Sequence, residues 1–255
     1  MKKLRLLTKI YQNKSQIFDD IKSTIMNEIK DLNVQLQSII LDNEGFITIT
    51  MEGEEEEVAY NYLKELFGES KKLDELQKGD TLQGYVCSSG SVGFGIFVDI
   101  GIKDPYEVDA LLPLYTLREQ LFQGQKVSVK KIIDLYALID NFPLEITIEE
   151  VSVGLKKITA KLSENQIDEF NTWIEESLEK LVIIGAYETE IREALKRSRH
   201  LQDIIALDSL GWMEAIITCK FNTTAKGLIP AIGSLLPDAH FEIFSPTKIR
   251  LIKNN

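Results

Sequence analysis

The residues best suited to chemistry on a ligand are the cations Lys196, Arg197, Arg199 and His200. Helical spacing of apolar residues predicts a helix over about 188–199, which places this run at its C-terminal end. Arginine offers a planar fork that can bond two phosphate oxygens, whereas lysine acts as a point charge. The run favours two interpretations: a phosphate contact, or a solvated cluster that meets the negative end of the helix dipole.

Few other groups in the sequence could carry catalysis. His200 and His240 are isolated, and the chain contains no GxSxG, HExxH or Walker sequence. Cys87 and Cys219 lie far apart without CxxC spacing, so we interpret them as buried free thiols rather than as zinc ligands or a disulfide. We therefore predict no catalytic residue, no metal and no cofactor, and a function other than that of an enzyme.

The stretch that must organise the chain is 78–132, in which strand-like alternation is interrupted by glycines. Glycine within a strand permits the sharp bend at which a small barrel turns its corner. Five short strands favour a closed Greek-key barrel, because closure removes exposed edges. The strands are predicted around 81–86 and over 93–101, 108–112, 126–133 and 144–151, with a helical turn over 114–121.

This stretch resembles the RNA-binding domain of the ribosomal protein S1 type, an OB-fold. The matching segments are Gly79-Asp80, Gly84-Tyr85-Val86, Phe94-Gly95-Ile96-Phe97-Val98-Asp99, Ala110-Leu111-Leu112-Pro113 and Gly124-Gln125-Lys126-Val127. The resemblance implies that Phe94 and Phe97 stack on bases. Pro113 stands where that family often has a histidine, so one polar contact to RNA is absent. The alternative for the two rings is packing beneath a neighbouring domain.

Phosphate contacts are expected from cations elsewhere in the chain. We predict that Lys126 and Lys130, together with the cluster at Lys196 to His200, steady the phosphates of the same RNA. RNA is favoured over duplex DNA because the fold that the barrel resembles reads unstacked single strands through aromatic platforms.

The barrel is predicted to lie between two small α+β layers. The first follows the order strand, helix, strand, strand, helix over 3–11, 14–30, 34–41, 46–51 and 54–67, a pattern related to ferredoxin-like folds. A strand at 157–162 is followed by helices over about 163–183 and 188–199. The remainder is predicted to form strands at 204–207, 213–221 and 241–244, with a helix at 225–235 before the last strand. The predicted domains are 1–72, 76–152 and 153–255.

The whole chain resembles an archaeal family of uncharacterised proteins that carry such a central barrel. The residues that carry this resemblance include Trp173, Leu210-Gly211, Cys219-Lys220 and the stretch from Thr223 to Gly233. The chain also resembles the alpha subunit of the archaeal initiation factor that delivers initiator tRNA. That subunit likewise joins an S1-type barrel to helices and an α/β domain.

The net charge of −11 argues against wholesale binding of a polyanion. The charge is unevenly distributed, however: residues 1–75 and 76–152 each carry −5, and residues 153–255 carry only −1. An anionic partner should therefore meet the last third of the chain first. No run approaches the roughly 18 apolar residues that cross a bilayer, so we expect no membrane partner and a cytoplasmic location.

These patterns predict a non-enzymatic RNA-binding or ribonucleoprotein-associated factor, linked to translation or RNA metabolism and with the ribosome among its candidate partners. The alternative is a protein-interaction module. In that case the acidic barrel docks on a basic partner, such as a ribosomal protein or an RNA polymerase subunit, because charge complementarity steers association.

Overall fold

The computed structural model of the protein describes residues 1–11, 14–103 and 105–254. They fall into two compact units. The first unit comprises Met1–Glu75 and Ile100–Glu107, and the second comprises Leu76–Asp99 and Val108–Asn255. Within the part of the chain that is described, no helix has the length and apolar character needed to cross a membrane.

The first unit is an antiparallel sheet with two helices. In chain order its elements are β1 (Lys2–Lys9), α1 (Lys14–Glu28), β2 (Val34–Leu41), β3 (Phe46–Gly53) and α2 (Glu56–Phe67), and β3 lies between β1 and β2. Ile17, Ile21 and Ile25 recur every four residues along α1 and are all buried, which makes one apolar stripe against the core. The order of elements predicted from the sequence is confirmed.

The loop Ile100–Glu107 also belongs to this first unit, although it follows a strand of the barrel. The guanidinium of Arg5 donates to the carbonyl of Gly101 and, over 2.9 Å, to the hydroxyl of Ser70. The same guanidinium forms a 2.8 Å ion pair with Asp42, and Lys103 in the loop lies 3.4 Å from that carboxylate. Charge-assisted hydrogen bonds thus hold the loop in this unit.

The second unit begins with a closed barrel. Its strands are β4 (Thr81–Cys87), β5 (Gly95–Asp99), β6 (Ala110–Pro113), β7 (Pro143–Ser152) and β8 (Lys157–Leu162), arranged around the barrel as β4-β5-β6-β8-β7. All neighbouring strands are antiparallel except β6 and β8, which are parallel. Alternate residues fill the interior, among them Val86, Ile96, Val98, Leu112, Ile146 and Ile148.

Two strand predictions for the barrel were wrong. The segment 126–133, predicted as the fourth strand, leads into a helix, α4 (Val129–Tyr136), which follows α3 (Leu114–Phe122). The hydroxyl of Ser128 caps α4 by accepting a 3.2 Å hydrogen bond from the amide of Lys131. Strand β8, predicted outside the barrel, closes it instead. Alternation over a few residues is compatible with either element, and here burial at helical spacing prevailed.

A second antiparallel sheet follows α5 (Glu164–Glu176). Its elements are β9 (Lys180–Ile184), α6 (Glu188–Arg197), β10 (Ile204–Ser209), β11 (Glu214–Cys219), α7 (Ala225–Gly233), β12 (His240–Phe244) and a closing helix α8 (Pro246–Lys253), with strand order β10-β11-β9-β12. The helix predicted over 163–183 was too long, because its last residues form the central strand β9. All five residues of β9 are buried, and periodicity alone cannot distinguish so apolar a run from a buried helix.

An aromatic cluster packs the barrel's helices against the C-terminal sheet. The ring of Phe170 lies 5.1 Å from that of Tyr136 and 5.5 Å from that of Trp173, between centroids. Phe244, on β12, lies 5.8 Å from Tyr136 and 5.3 Å from Trp173. These edge-to-face contacts explain why barrel and sheet form one compact unit.

Candidate nucleic-acid interface

Phe94 and Phe97 lie on the outer surface of the barrel. Phe94 immediately precedes β5 and is 57 % exposed, whereas Phe97 is half-buried. Ile96 and Val98 face the interior, so the alternation of a strand turns Phe97 outward. The two rings pack edge to face, with centroids 6.2 Å apart and planes at 87°. They are therefore surface rings rather than part of the barrel core.

The strand register defines the neighbours of Phe97. It pairs with Cys87 on β4 and with Leu111 on β6, and Leu111 pairs with Thr159 on β8. Because cross-strand partners share a face, these four side chains form one row across the outside of the barrel. The row is uncharged. Lys161, two residues beyond Thr159, extends the same face of β8 with a partly exposed cation.

Tyr115 is a third aromatic residue at this end of the barrel, and the sequence interpretation missed it. The amide of Leu114 donates a 2.8 Å hydrogen bond to the carbonyl of Phe94, so α3 begins beside the rings. Tyr115 comes next and is 68 % exposed. The sequence carried no signal for this meeting, because it follows from the pairing of Pro113 with Gly95, which brings the residues just after β6 near the start of β5.

The electrostatics near the rings are not basic. The loop between β4 and β5 is fastened by a 2.6 Å hydrogen bond from the amide of Ser89 to the carboxylate of Asp140. At Gly90 and Gly93 in this loop, no heavy atom of the described chain lies within 4 Å of an added Cβ, so the surface there is open. A ligand could approach the rings freely, and the charged group that contacts this loop is the carboxylate of Asp140 rather than a cation.

Lys126 and Lys130 do not lie on the row that carries Phe97. Lys126 precedes α4 and Lys130 lies in its first turn, both exposed. The amide of the neighbouring Gln125 side chain donates a 3.2 Å hydrogen bond to the carbonyl of Lys253, which places this segment beside α8. The strand that was expected to bring these lysines to the barrel surface is a helix, so they are carried elsewhere.

The basic cluster lies at the C-terminal end of α6, where the sequence predicted it, but its members diverge. Nδ1 of His200 lies 2.7 Å from the carboxylate of Asp203, so this side chain has a local partner. Arg197 lines a cavity of about 330 Å³ together with Glu190 and Glu193. Lys196 and Arg199 face a different, shallower depression, so the structure separates the cluster into two surfaces.

A cleft of about 400 Å³ between β7 and α5 carries two carboxylates. Glu145 accepts a 2.6 Å hydrogen bond from the hydroxyl of Ser163, and Glu169 accepts a 2.8 Å bond from the side-chain amide of Gln166. Desolvation at the cleft wall and the charge of Glu145 raise the pKa of Glu169, although the bond from Gln166 and the charge of Lys180 oppose this. The cleft therefore suits a cationic group.

The remaining chemistry-bearing side chains show no assembled site. Cys219 is buried, and desolvation raises the pKa of its thiol to about 11, which makes it unreactive. Cys87 is only half-buried, so the expectation of two buried thiols holds for one of them. In the described residues, no group of three or more His, Cys, Asp and Glu side chains could hold a metal ion.

Three family models match successive parts of the chain. The DUF2110 N-terminal domain matches residues 3–73, the DUF2110 central domain matches residues 76–174, and the DUF2110 C-terminal domain matches residues 178–244. The central match includes β8 and most of α5 together with the rest of the barrel. No curated protein matches the sequence.

Two solved structures are weakly similar to the chain. Uncharacterized protein MJ1198 from Methanocaldococcus jannaschii is 13 % identical; the match covers 35 % of this chain and 95 % of that one, with a TM-score of 0.24. The intact alpha subunit of aIF2 from Pyrococcus abyssi is 8 % identical; the match covers 66 % of this chain and 97 % of that one, with a TM-score of 0.25. Scores this low support no argument about fold or function.

Proposed function

The chain belongs to the DUF2110 family, and we propose that it is a non-enzymatic protein that binds single-stranded RNA on the outer face of its barrel. One observation carries the proposal: exposed Phe94 and Tyr115 lie together at one end of the barrel, and Phe94 is braced edge to face by Phe97. Stacking of a base on an aromatic side chain contributes roughly 1–3 kcal/mol and tolerates any base.

We also propose that the barrel is an OB-fold of the S1 type. Its strands follow the order first, second, third, fifth, fourth around the barrel, and a helix pair separates the third strand from the fourth. The C-terminal sheet supports a ferredoxin-like pattern, because β9 and β11 are central and helices follow β9 and β11. We further propose a cytoplasmic role in translation or RNA metabolism, with a ribonucleoprotein such as the ribosome as partner.

The electrostatics shape the expected binding at the rings. The row around Phe97 is uncharged and Asp140 anchors the adjacent loop, so phosphate neutralisation contributes little there. Each phosphate that a protein neutralises on a single strand gives a slope of about −0.7 in log K against log salt. Binding at the barrel face should therefore depend on stacking and respond only weakly to salt.

The experiment is fluorescence anisotropy of labelled single-stranded RNA of twelve nucleotides, titrated with the parent protein and with the variant Phe94→Ala, Tyr115→Ala. A matched control is Leu155→Ala, which removes an exposed apolar side chain from the β7–β8 turn. Loss of two stacking contacts should weaken binding by roughly tenfold or more, whereas the control should bind like the parent. Equal affinity of the double variant and the parent would refute the proposal.

A second candidate function, docking of a basic protein, is favoured by the cleft that carries Glu145 and Glu169. A basic side chain from a partner would lower the pKa of Glu169 and relieve the repulsion between the two carboxylates. The test is a pull-down from native lysate, with and without nuclease, using the parent and the Glu145→Gln, Glu169→Gln variant. Partners that survive nuclease but are lost with the variant would support docking.

A further inference from the structure

The end of α6 brings two cations to one surface. After the helix the chain reverses. The amide of His200 donates a hydrogen bond of 2.8 Å to the carbonyl of Leu195, and the amide of Arg199 donates one of 3.1 Å to the carbonyl of Lys196. Arg199 adopts a left-handed backbone, with φ of 63°, as in a Schellman cap. This reversal places Arg199 beside Lys196 on a depression of about 620 Å³. Neither cation has an ion-pair partner within the described chain.

A tight turn that carries an exposed aromatic ring is bonded to a residue that lines this depression. The backbone amide of Lys220 donates a 2.9 Å hydrogen bond to the carbonyl of Asp203. The ammonium group of Lys220 donates to the carbonyl of Gln202, a residue that lines the depression. A 2.9 Å hydrogen bond from the amide of Thr223 to the carbonyl of Lys220 closes the turn. Phe221 projects from the turn and is 82 % exposed, more than any other large apolar side chain that the structure describes.

The stretch of sequence that forms this surface differs in charge from the protein as a whole. Over residues 196–226 the sequence carries five basic and three acidic residues, in a chain of net charge −11. Of those acids, Glu214 is buried and Asp203 is paired with His200. Lys226, in the first turn of α7, adds another exposed cation shortly after Phe221. Cations thus outnumber carboxylates in this stretch, although Arg197 lines a different cavity and the carboxylate of Glu179 accepts a 2.9 Å hydrogen bond from the amide of Ala225, next to Lys226.

We propose that this surface, formed by Lys196, Arg199, Phe221 and Lys226, is a second contact for a single RNA strand, separate from the barrel face. The proposal rests on the RNA binding proposed above. A cationic groove with an exposed aromatic ring is the combination that binds single strands: the cations neutralise phosphates and the ring stacks on a base. Arg199 supplies the bidentate fork and Lys196 a point charge, so a phosphodiester is the chemical group that fits.

The two contacts differ in what they recognise. The barrel face is aromatic and uncharged, and it should supply the part of the affinity that depends weakly on salt. The surface around Arg199 is aromatic and cationic, so it should supply most of the salt dependence of RNA binding. Arg197, which faces Glu190 and Glu193, and His200, which is paired with Asp203, are not part of this second contact.

The test compares Arg199, which lies just beyond the C-terminal end of α6, with Arg192 inside that helix. Arg199→Gln removes a cation from the proposed surface, and Arg192→Gln removes the same charge from a side chain that pairs with Glu188 at 2.6 Å. For twelve-nucleotide RNA, Arg199→Gln should weaken binding roughly fivefold and reduce the salt slope by about 0.7, while Arg192→Gln stays within about twofold of the parent. Phe221→Ala should weaken binding roughly tenfold, with exposed Leu251→Ala as its control.

The outcomes separate the two proposals. If the barrel variant Phe94→Ala, Tyr115→Ala loses binding while Arg199→Gln equals Arg192→Gln, the second contact is wrong and the barrel proposal stands. If Arg199→Gln weakens binding and the barrel variant does not, the second contact stands alone. Failure of the parent to bind RNA overturns both. Uridine monophosphate is the remaining probe: binding of this nucleotide as tightly as RNA would identify a mononucleotide site and overturn the strand contact.

Discussion

Tyr136, at the end of α4, packs its ring against Phe170 of α5, with centroids 5.1 Å apart and planes at 62°. Its hydroxyl is buried without a hydrogen-bond partner in the described chain, and burial raises its pKa. Phe122 and Phe244 also contact this ring edge to face. The residue therefore contributes to the fold through its aromatic surface, while its polar atom opposes burial.

Removal of that hydroxyl should stabilise the protein. We expect Tyr136→Phe to raise the free energy of unfolding by about 1 kcal/mol, because a buried hydroxyl without a partner loses its hydrogen bonds to water. Tyr136→Leu should lower it by about 2 kcal/mol or more, since the ring contacts are lost and a cavity is left. Urea unfolding of both variants checks this. A lower midpoint for Tyr136→Phe would show that an ordered water satisfies the hydroxyl.

Arg199→Gly should separate stability from binding. Glycine adopts the left-handed backbone without the steric cost of about 1 kcal/mol that a side chain incurs. The urea midpoint of unfolding of the variant should therefore be at least as high as that of the parent. It should nevertheless bind RNA more weakly, because the guanidinium is gone. Lys156→Gly, at φ of 50° in the β7–β8 turn, is the control, and it should keep full binding. Weaker binding of both variants would contradict the assignment to Arg199.

The Arg5–Asp42 pair predicts a pH dependence of stability. Partial burial alone would raise the pKa of Asp42, but hydrogen bonds from Arg5 and from the amide of Phe46 outweigh it, and the pKa is lowered. A carboxyl whose pKa is lower in the folded state stabilises the fold above its unfolded pKa, near 4, and loses this contribution as the pH falls through the folded value.

Asp42→Asn should therefore lower the free energy of unfolding at pH 7 by roughly 1–2 kcal/mol. The difference from the parent should shrink steadily as the pH falls below about 4. Urea unfolding from pH 7 to pH 2.5 measures it, with exposed Asp74→Asn as the control. A difference that stays constant with pH would mean that Arg5 does not hold the ionised carboxylate.

Phe94 and Phe97 should differ in their effect on stability. Phe94 is mostly exposed, so Phe94→Ala should change the free energy of unfolding by no more than about 0.5 kcal/mol. Phe97→Ala removes a half-buried ring between Cys87 and Leu111 and should cost about 1–2 kcal/mol. Thermal unfolding of each single variant measures this. Equal losses would show that Phe94 is covered in solution.

Local patterns in the sequence determined much of this architecture. Every-fourth-residue spacing in α1 and alternation in β4 and β5 each report which side chains share a face, because a helix repeats every 3.6 residues and a strand every two. The mixed α+β class and the closed central barrel follow from such repeats, whereas the outward position of Phe97 was implied only by the resemblance to the S1 domain. The same local signal was wrong at α4 and at β9, where short apolar runs fit both elements.

Only the tertiary structure decided which distant residues meet. Tyr115 joins Phe94 because a backbone hydrogen bond places the start of α3 beside β5, and the Lys196–Arg199 pair separates from Arg197 because the chain reverses after α6. The turn that carries Phe221 is tied to residues 202 and 203 by bonds from Lys220, and Gln202 lines the same depression as that pair. No periodicity encodes these meetings, since they depend on strand pairing and packing between segments that are far apart in the chain.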